Sequence, residues 1–169
     1  MQAFAAEGLP LIETTLLQSM ERLAKETRVP QPDLAIKWQA VAELRAGSAA
    51  EADIWLQLTA STTLALTCQR CMGSVDTAIS VDQWYRFVAT EEIAMAEDDQ
   101  SDEDLLVMTP QFDLLAVLED ELLMALPLVP MHDHCPVAPV LSAGDAELVN
   151  TTTEKPNPFA VLAQLKNKK

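Results

Sequence analysis

Residues 54–67 read Ile-Trp-Leu-Gln-Leu-Thr-Ala-Ser-Thr-Thr-Leu-Ala-Leu-Thr, and this stretch decides the fold class. Ile54, Leu56 and Leu58 alternate with Trp55 and Gln57, and Thr62 to Thr67 is again rich in β-branched and apolar residues, the pattern of half-buried strands. Upstream, Ile36-Lys37-Trp38 has the same character; downstream, Val75, Thr77, Ile79 and Val81 repeat the period of two and Trp84 to Val88 extends it. Gly47-Ser48, Ala60-Ser61 and Met72-Gly73-Ser74 are the turn sites this reading needs. Residues 33–89 are thus expected to form an antiparallel sheet, with barrel-like curling as an option.

Helical patterns flank the sheet. Leu16, Leu17, Met20, Leu23 and Ala24 recur at helical spacing, which predicts a helix over 13–26 that Pro30 and Pro32 prevent from continuing. A second helix is predicted over 113–126, with Asp113 as its N-cap, Leu114, Leu115, Leu118, Leu122, Ala125 and Leu126 as its apolar stripe, and Pro127 as its stop. The fold class is α+β, with residues 1–135 as one domain. Its acidic segment 91–108, with Glu91, Glu92, Glu97, Asp98, Asp99, Asp102, Glu103 and Asp104, reads as a mobile, solvated loop. Residues 136–169 read as an extended tail that ends in a short helix. There Asn157-Pro158 makes the first turn, and Phe159, Leu162 and Leu165 share a face that needs a surface to form on.

At 169 residues and 49% hydrophobic, the chain can build a core, which excludes wholesale disorder. Eleven Lys and Arg against 26 Asp and Glu give a formal charge of −15, and no Lys or Arg occurs between Arg86 and Lys155. A broad phosphate-binding face needs clustered cations, so the balance favours a basic protein partner over bare nucleic acid. The N-terminus lacks a basic leader, and no uninterrupted apolar run approaches the roughly 18 residues that span a bilayer. With only three cysteines, the expected location is cytoplasmic, without membrane attachment.

The sharpest chemical pattern is Cys68-Gln69-Arg70-Cys71, two thiols three apart beside a tight turn, which supplies half of a tetrahedral zinc site. The other Cys and His residues are His132, His134 and Cys135. His132-x-x-Cys135 repeats the spacing, so the candidate zinc ligands are Cys68, Cys71, His132 and Cys135, with His134 as the alternative. Without metal, the same residues are reduced thiols in a turn and a loop. No nucleophile elbow or phosphate-cradling glycine loop accompanies them, and neither catalysis nor a small-molecule substrate is expected. Glu119-Asp120-Glu121 reads as the wet face of the second helix rather than an acid/base or Mg²⁺ cluster, and Trp38, Trp55 and Trp84 read as core rather than base-stacking platforms.

Four segments together carry a family resemblance. They are Leu-Thr-Cys-Gln-Arg-Cys at 66–71, Phe-Asp-Leu-Leu-Ala-Val-Leu-Glu-Asp-Glu-Leu-Leu-Met-Ala-Leu-Pro-Leu-Val-Pro at 112–130, His-Asp-His-Cys at 132–135 and Lys-Pro-Asn-Pro-Phe-Ala-Val-Leu at 155–162. In these the chain resembles the YceD family of bacterial large ribosomal RNA subunit accumulation proteins. The resemblance implies a cytosolic, non-catalytic protein that supports synthesis, processing or stability of large-subunit ribosomal RNA. Combined with the charge, it points to a basic ribosomal protein or pre-large-subunit particle as partner, with Asn157, Pro158, Phe159, Leu162 and Leu165 as docking residues. Two rival classes are a direct single-stranded RNA module presenting Trp38, Arg70 and Arg86, and a zinc-dependent RNA-processing enzyme.

Overall fold

In a computed structural model, which describes residues 1–47 and 52–137, one five-stranded sheet organises the chain. Helix α1 (Gln2–Glu7) leads into β1 (Leu11–Leu16), a 3-10 turn (Leu17–Ser19) and α2 (Glu21–Glu26). Strands β2 (Ala35–Arg45), β3 (Asp53–Thr67) and β4 (Ser74–Val88) follow. Helix α3 (Glu91–Glu97), β5 (Asp104–Val107) and α4 (Leu114–Met124) complete the order. The strands lie in the order β1-β2-β3-β4-β5, with the first three pairings antiparallel and β4-β5 parallel. The α+β class therefore stands. The sheet is mixed and open rather than wholly antiparallel or a barrel, because β1 and β5 remain its two edges.

The period of two is realised along the whole of β3 and β4. Ile54, Leu56, Leu58, Leu64, Val75 and Ile79 are buried on the inner face, while alternate residues form the outer face. The turn expected at Ala60-Ser61 does not form: Ala60 pairs with Trp38 on one side and Val81 on the other, inside a strand of 15 residues. Neither residue needs a turn conformation, and burial of Ala60 favours continuing the ladder. At Met72-Gly73 the expected turn does form. Met72 takes the left-handed φ of 59°, and its N–H donates to the Cys68 carbonyl at 2.9 Å while the Cys68 N–H donates to the Gly73 carbonyl at 2.8 Å.

The helix expected over 13–26 is replaced by a strand, a 3-10 turn and a six-residue helix. Leu17, Met20 and Leu23 still reach the core, so the apolar spacing located the buried side chains. The backbone of residues 11–16 instead pairs with β2, where Trp38 Nε1 donates to Thr15 Oγ1 at 2.9 Å. Tertiary pairing overrides the local helical pattern there.

The acidic segment is ordered into α3 and β5, not a loop. Thr90 caps α3 by accepting from Ile93 N, and Glu91 and Glu92 sit in its first turn, where the helix dipole favours negative charge. Arg86, on β4, donates to Glu103 at 2.7 Å, Glu97 at 2.8 Å and Ser101 at 3.0 Å, which ties the segment to the sheet while most of its acids stay exposed to solvent.

Helix α4 forms within the predicted range, although Leu115 of the predicted apolar stripe is exposed. Asp113 Oδ1 accepts from Leu115 N at 3.0 Å and Ala116 N at 3.1 Å, and Leu118 and Leu122 are fully buried. Asp113→Ala is expected to destabilise the protein by about 1 kcal/mol, the typical worth of a side-chain N-cap, measured by urea unfolding.

Glu119 departs from the expected wet face. It is buried, and Oε1 accepts from Arg22 N at 2.8 Å and Leu23 N at 3.1 Å, while Oε2 accepts from Arg22 Nε at 3.0 Å. These are the second and third amides of α2, whose own N-cap, Met20, offers no side-chain acceptor. A carboxylate 97 positions away in sequence thus caps α2, and Asp120 adds an ion pair to the Arg22 guanidinium.

Of the three tryptophans, Trp38 is core; Trp55 and Trp84 lie on the outer face, against expectation, because they occupy the outward phase of β3 and β4. Residues Asn157, Pro158, Phe159, Leu162 and Leu165, and most of the predicted tail, lie outside the described residues. Among the described residues no helix is long and apolar enough to cross a membrane.

Candidate metal centre

The end of the β3-β4 hairpin meets the segment that follows α4. The Gln69 N–H donates to the Pro130 carbonyl at 2.9 Å, which holds residues 130–135 against the hairpin. Pro127 and Pro130 keep this segment from continuing α4. As a result Cys68, Cys71, His132 and Cys135 bring one donor atom each to a common point, all within 4.8 Å of one another. His134 is exposed and outside the cluster, so the geometry distinguishes between the two histidines.

The distances suit a tetrahedral ion. With Zn–S near 2.3 Å and Zn–N near 2.0–2.1 Å, the edges of a tetrahedron are about 3.8 Å for S···S and about 3.6 Å for S···N. Cys68 Sγ and Cys135 Sγ are 4.0 Å apart, and Cys71 Sγ is 3.5 Å from His132 Nδ1. All three cysteines are free of disulfides. His132 Nε2 donates to the Ser74 carbonyl at 2.9 Å, which orients the ring with Nδ1 toward the thiols. A Cβ added at Gly73 would come within 3.5 Å of Cys71 Sγ, so the turn passes close to the cluster.

Buried Cys68 and half-buried Cys135 are electrostatically unlike. Burial opposes a thiolate at Cys68, but backbone N–H groups of Cys71, His132 and Arg70 directed at its sulfur bring it down to about 5. Burial pushes Cys135 up to about 11, and hydrogen bonding with Cys71 and Cys68 adds to the rise. The surroundings thus favour the thiolate at Cys68 and the protonated thiol at Cys135, so loading a divalent ion on the cluster releases protons. Proton release on zinc addition is the expected calorimetric signature, read as an enthalpy that varies with buffer ionisation heat.

The residues of the direct-RNA rival do not converge. Trp38 is buried on the inner face, Arg86 is held by Glu97 and Glu103 on the outer face, and Arg70 lies at the hairpin turn near Met131.

Fold and site together define a small α+β protein whose sheet is closed at one end by a cluster of three thiols and one imidazole. The sequence model described as large ribosomal RNA subunit accumulation protein YceD matches residues 56–166, a range that includes all four donors. The chain belongs to the YceD family. It is 38% identical over 112 residues to the large ribosomal RNA subunit accumulation protein YceD of Haemophilus influenzae, an alignment covering 61% of this chain. The chain spans 60% of that relative's length. No solved structure matches.

Proposed function

We propose that this chain is a non-catalytic ribosome-biogenesis factor that supports accumulation of large-subunit ribosomal RNA, held in shape by one structural zinc. The observation that carries the role is membership of the YceD family across residues 56–166. Zinc is favoured by the donor set, since three thiolates and an imidazole are soft and borderline ligands, here gathered within 4.8 Å of one another. Such a set fills all four positions, leaving no site for a catalytic water, which disfavours the zinc-dependent RNA-processing enzyme.

The mode of action follows from charge. A chain of formal charge −15 is repelled by bare RNA phosphates, so it acts through a basic ribosomal protein or a pre-large-subunit particle in the cytoplasm. The C-terminal residues Asn157, Pro158, Phe159, Leu162 and Leu165 are the docking element in this reading, with residues 136–169 a tail beyond the folded domain. A native pull-down of the tagged chain from growing cells, split into RNase-treated and untreated halves, tests it. Ribosomal proteins retained after RNase are the expected result. Association with large-subunit RNA that vanishes on treatment would overturn it.

A further inference from the structure

On the outer face of the sheet, Trp55 and Trp84 lie diagonally across the β3-β4 pairing, their ring centroids 6.4 Å apart and their planes at 67°. Into the angle between them reaches a cation from the same molecule: the Arg45 guanidinium carbon is 4.3 Å from the Trp55 centroid and 4.1 Å from that of Trp84. Glu43 accepts from Arg45 Nε and completes the surroundings. Two indole faces and a carboxylate are what a guanidinium requires from a receptor. We infer that Trp55, Trp84 and Glu43 form a receptor for an arginine side chain of a basic protein segment, which Arg45 occupies in the free protein.

Charge on this face points to the same occupant. Glu43, Asp53, Asp76 and Asp82 occupy its outward phase, against Lys37, Arg45 and Arg86. Arg86 is already committed to Glu97 at 2.8 Å and Glu103 at 2.7 Å. A phosphate backbone finds few open cations here, whereas a basic peptide finds carboxylates on either side of the aromatic pair. Arg45 is loosely held, since its side chain is 39% exposed and that of Glu43 is 44% exposed, and both the cation–π contacts and the ion pair are weak at such exposure. A partner's arginine, delivered on a segment that makes further contacts along the face, therefore displaces it at small cost.

The inference rests on the proposed function only for the source of the basic segment; the receptor stands on its own geometry. The test titrates the full chain with a seven-residue peptide of alternating glycine and arginine, with the lysine peptide of equal charge, and with a uridine oligonucleotide. Tryptophan fluorescence and calorimetry provide the readouts. The arginine peptide is expected to bind several-fold tighter than the lysine peptide, and about tenfold weaker to Trp84→Ala, with Trp55→Leu as a second variant should the first not fold.

Arg45→Gln separates a receptor from a structural clasp. Emptying the cage is expected to tighten the arginine peptide about two- to fivefold, the factor by which an exposed cation–π contact reduces the free fraction. Unchanged or weakened binding by Arg45→Gln would overturn the inference, as would equal binding of the two peptides. So would oligonucleotide binding that depends on Trp55 and Trp84. Capture of ribosomal proteins that survives Trp84→Ala would remove this face while leaving the proposed function intact. Failure of the wild-type chain to capture them would do the reverse, since the peptide titration is independent of it.

Discussion

Cys68→Ser is expected to abolish stoichiometric zinc binding and to lower the melting temperature by about 10–15 °C. Cys68 is fully buried, at 0% exposure, and is the one donor placed directly at the end of β3. Its sulfur is also the one already stabilised as a thiolate by the surrounding backbone amides, so its loss removes the most prepared ligand. Zinc bound only by the folded state stabilises it by about 4 kcal/mol when free metal is a thousandfold above Kd, and each kcal/mol moves a domain of this size by about 2–4 °C. Metal content by mass spectrometry and calorimetric melting with and without a chelator measure both effects. A wild-type chain that carries no metal and melts with Cys68→Ser would reduce the cluster to unligated thiols. His134→Ala should leave both quantities unchanged, because that ring is exposed and outside the cluster.

Glu119→Ala is expected to destabilise the protein by about 1–3 kcal/mol, the cost of leaving the amides of Arg22 and Leu23 without their acceptor in a nearly dry site. Glu119→Gln should recover part of this loss, since an amide oxygen can still accept while the ion pair to Arg22 is gone. The same residue makes a pH prediction. Burial works to raise the Glu119 carboxyl, but the Leu23 amide, the Arg22 side chain and the Arg22 amide together hold it below the usual carboxylate range. A group depressed in the folded state contributes stability that is complete above its unfolded value and is lost as pH falls through the folded one. Wild-type and Glu119→Gln stabilities should therefore differ at neutral pH and converge on acidification, as followed by urea unfolding between pH 7 and strongly acid conditions. Parallel curves would show that the carboxylate's charge contributes nothing.

The contrast between these two sites explains what a reader of the sequence can find. The four residues of the cluster were legible because their spacing is local: Cys-x-x-Cys and His-x-x-Cys each gather two donor atoms from one short segment, and only the meeting of the halves is tertiary. The choice of His132 over His134 was legible from the same spacing. The strand residues were legible from alternation, since their inner residues from Ile54 to Phe87 face one core, but the unbroken run of β3 through Ala60-Ser61 was not, because only pairing with both neighbours keeps those two residues extended. Glu119 was not, because its partners on α2 lie 97 positions away and the first of three consecutive acids on a helix looks solvated. Strand β1 was hidden for a related reason: Leu16, Leu17, Met20 and Leu23 keep a helical rhythm, and only the available edge of β2 makes residues 11–16 extended. Strand β5 was masked by the run of acids that precedes it, two of which, Glu97 and Glu103, find Arg86 only once β4 is built.

The hairpin of β3 and β4 is also a spacer. Ser74, at one end of β4, receives the His132 hydrogen bond, and Val88, at the other, pairs with Val107 of β5 and leads into the acids of α3. At about 3.4 Å per residue the 15 residues of β4 set these ends about 48 Å apart. Around the cluster end Lys25, Arg28 and Arg70 lie among Glu26, Asp76 and Asp133, a mixed surface, with Arg28 Nε 3.4 Å from the Met72 carbonyl oxygen and Arg70 Nη2 3.9 Å from Met131 Sδ. Physiological salt screens charge over about 8 Å, so the two poles do not feel each other. The acids of α3 therefore act on an approaching molecule independently of the mixed charges at the cluster end.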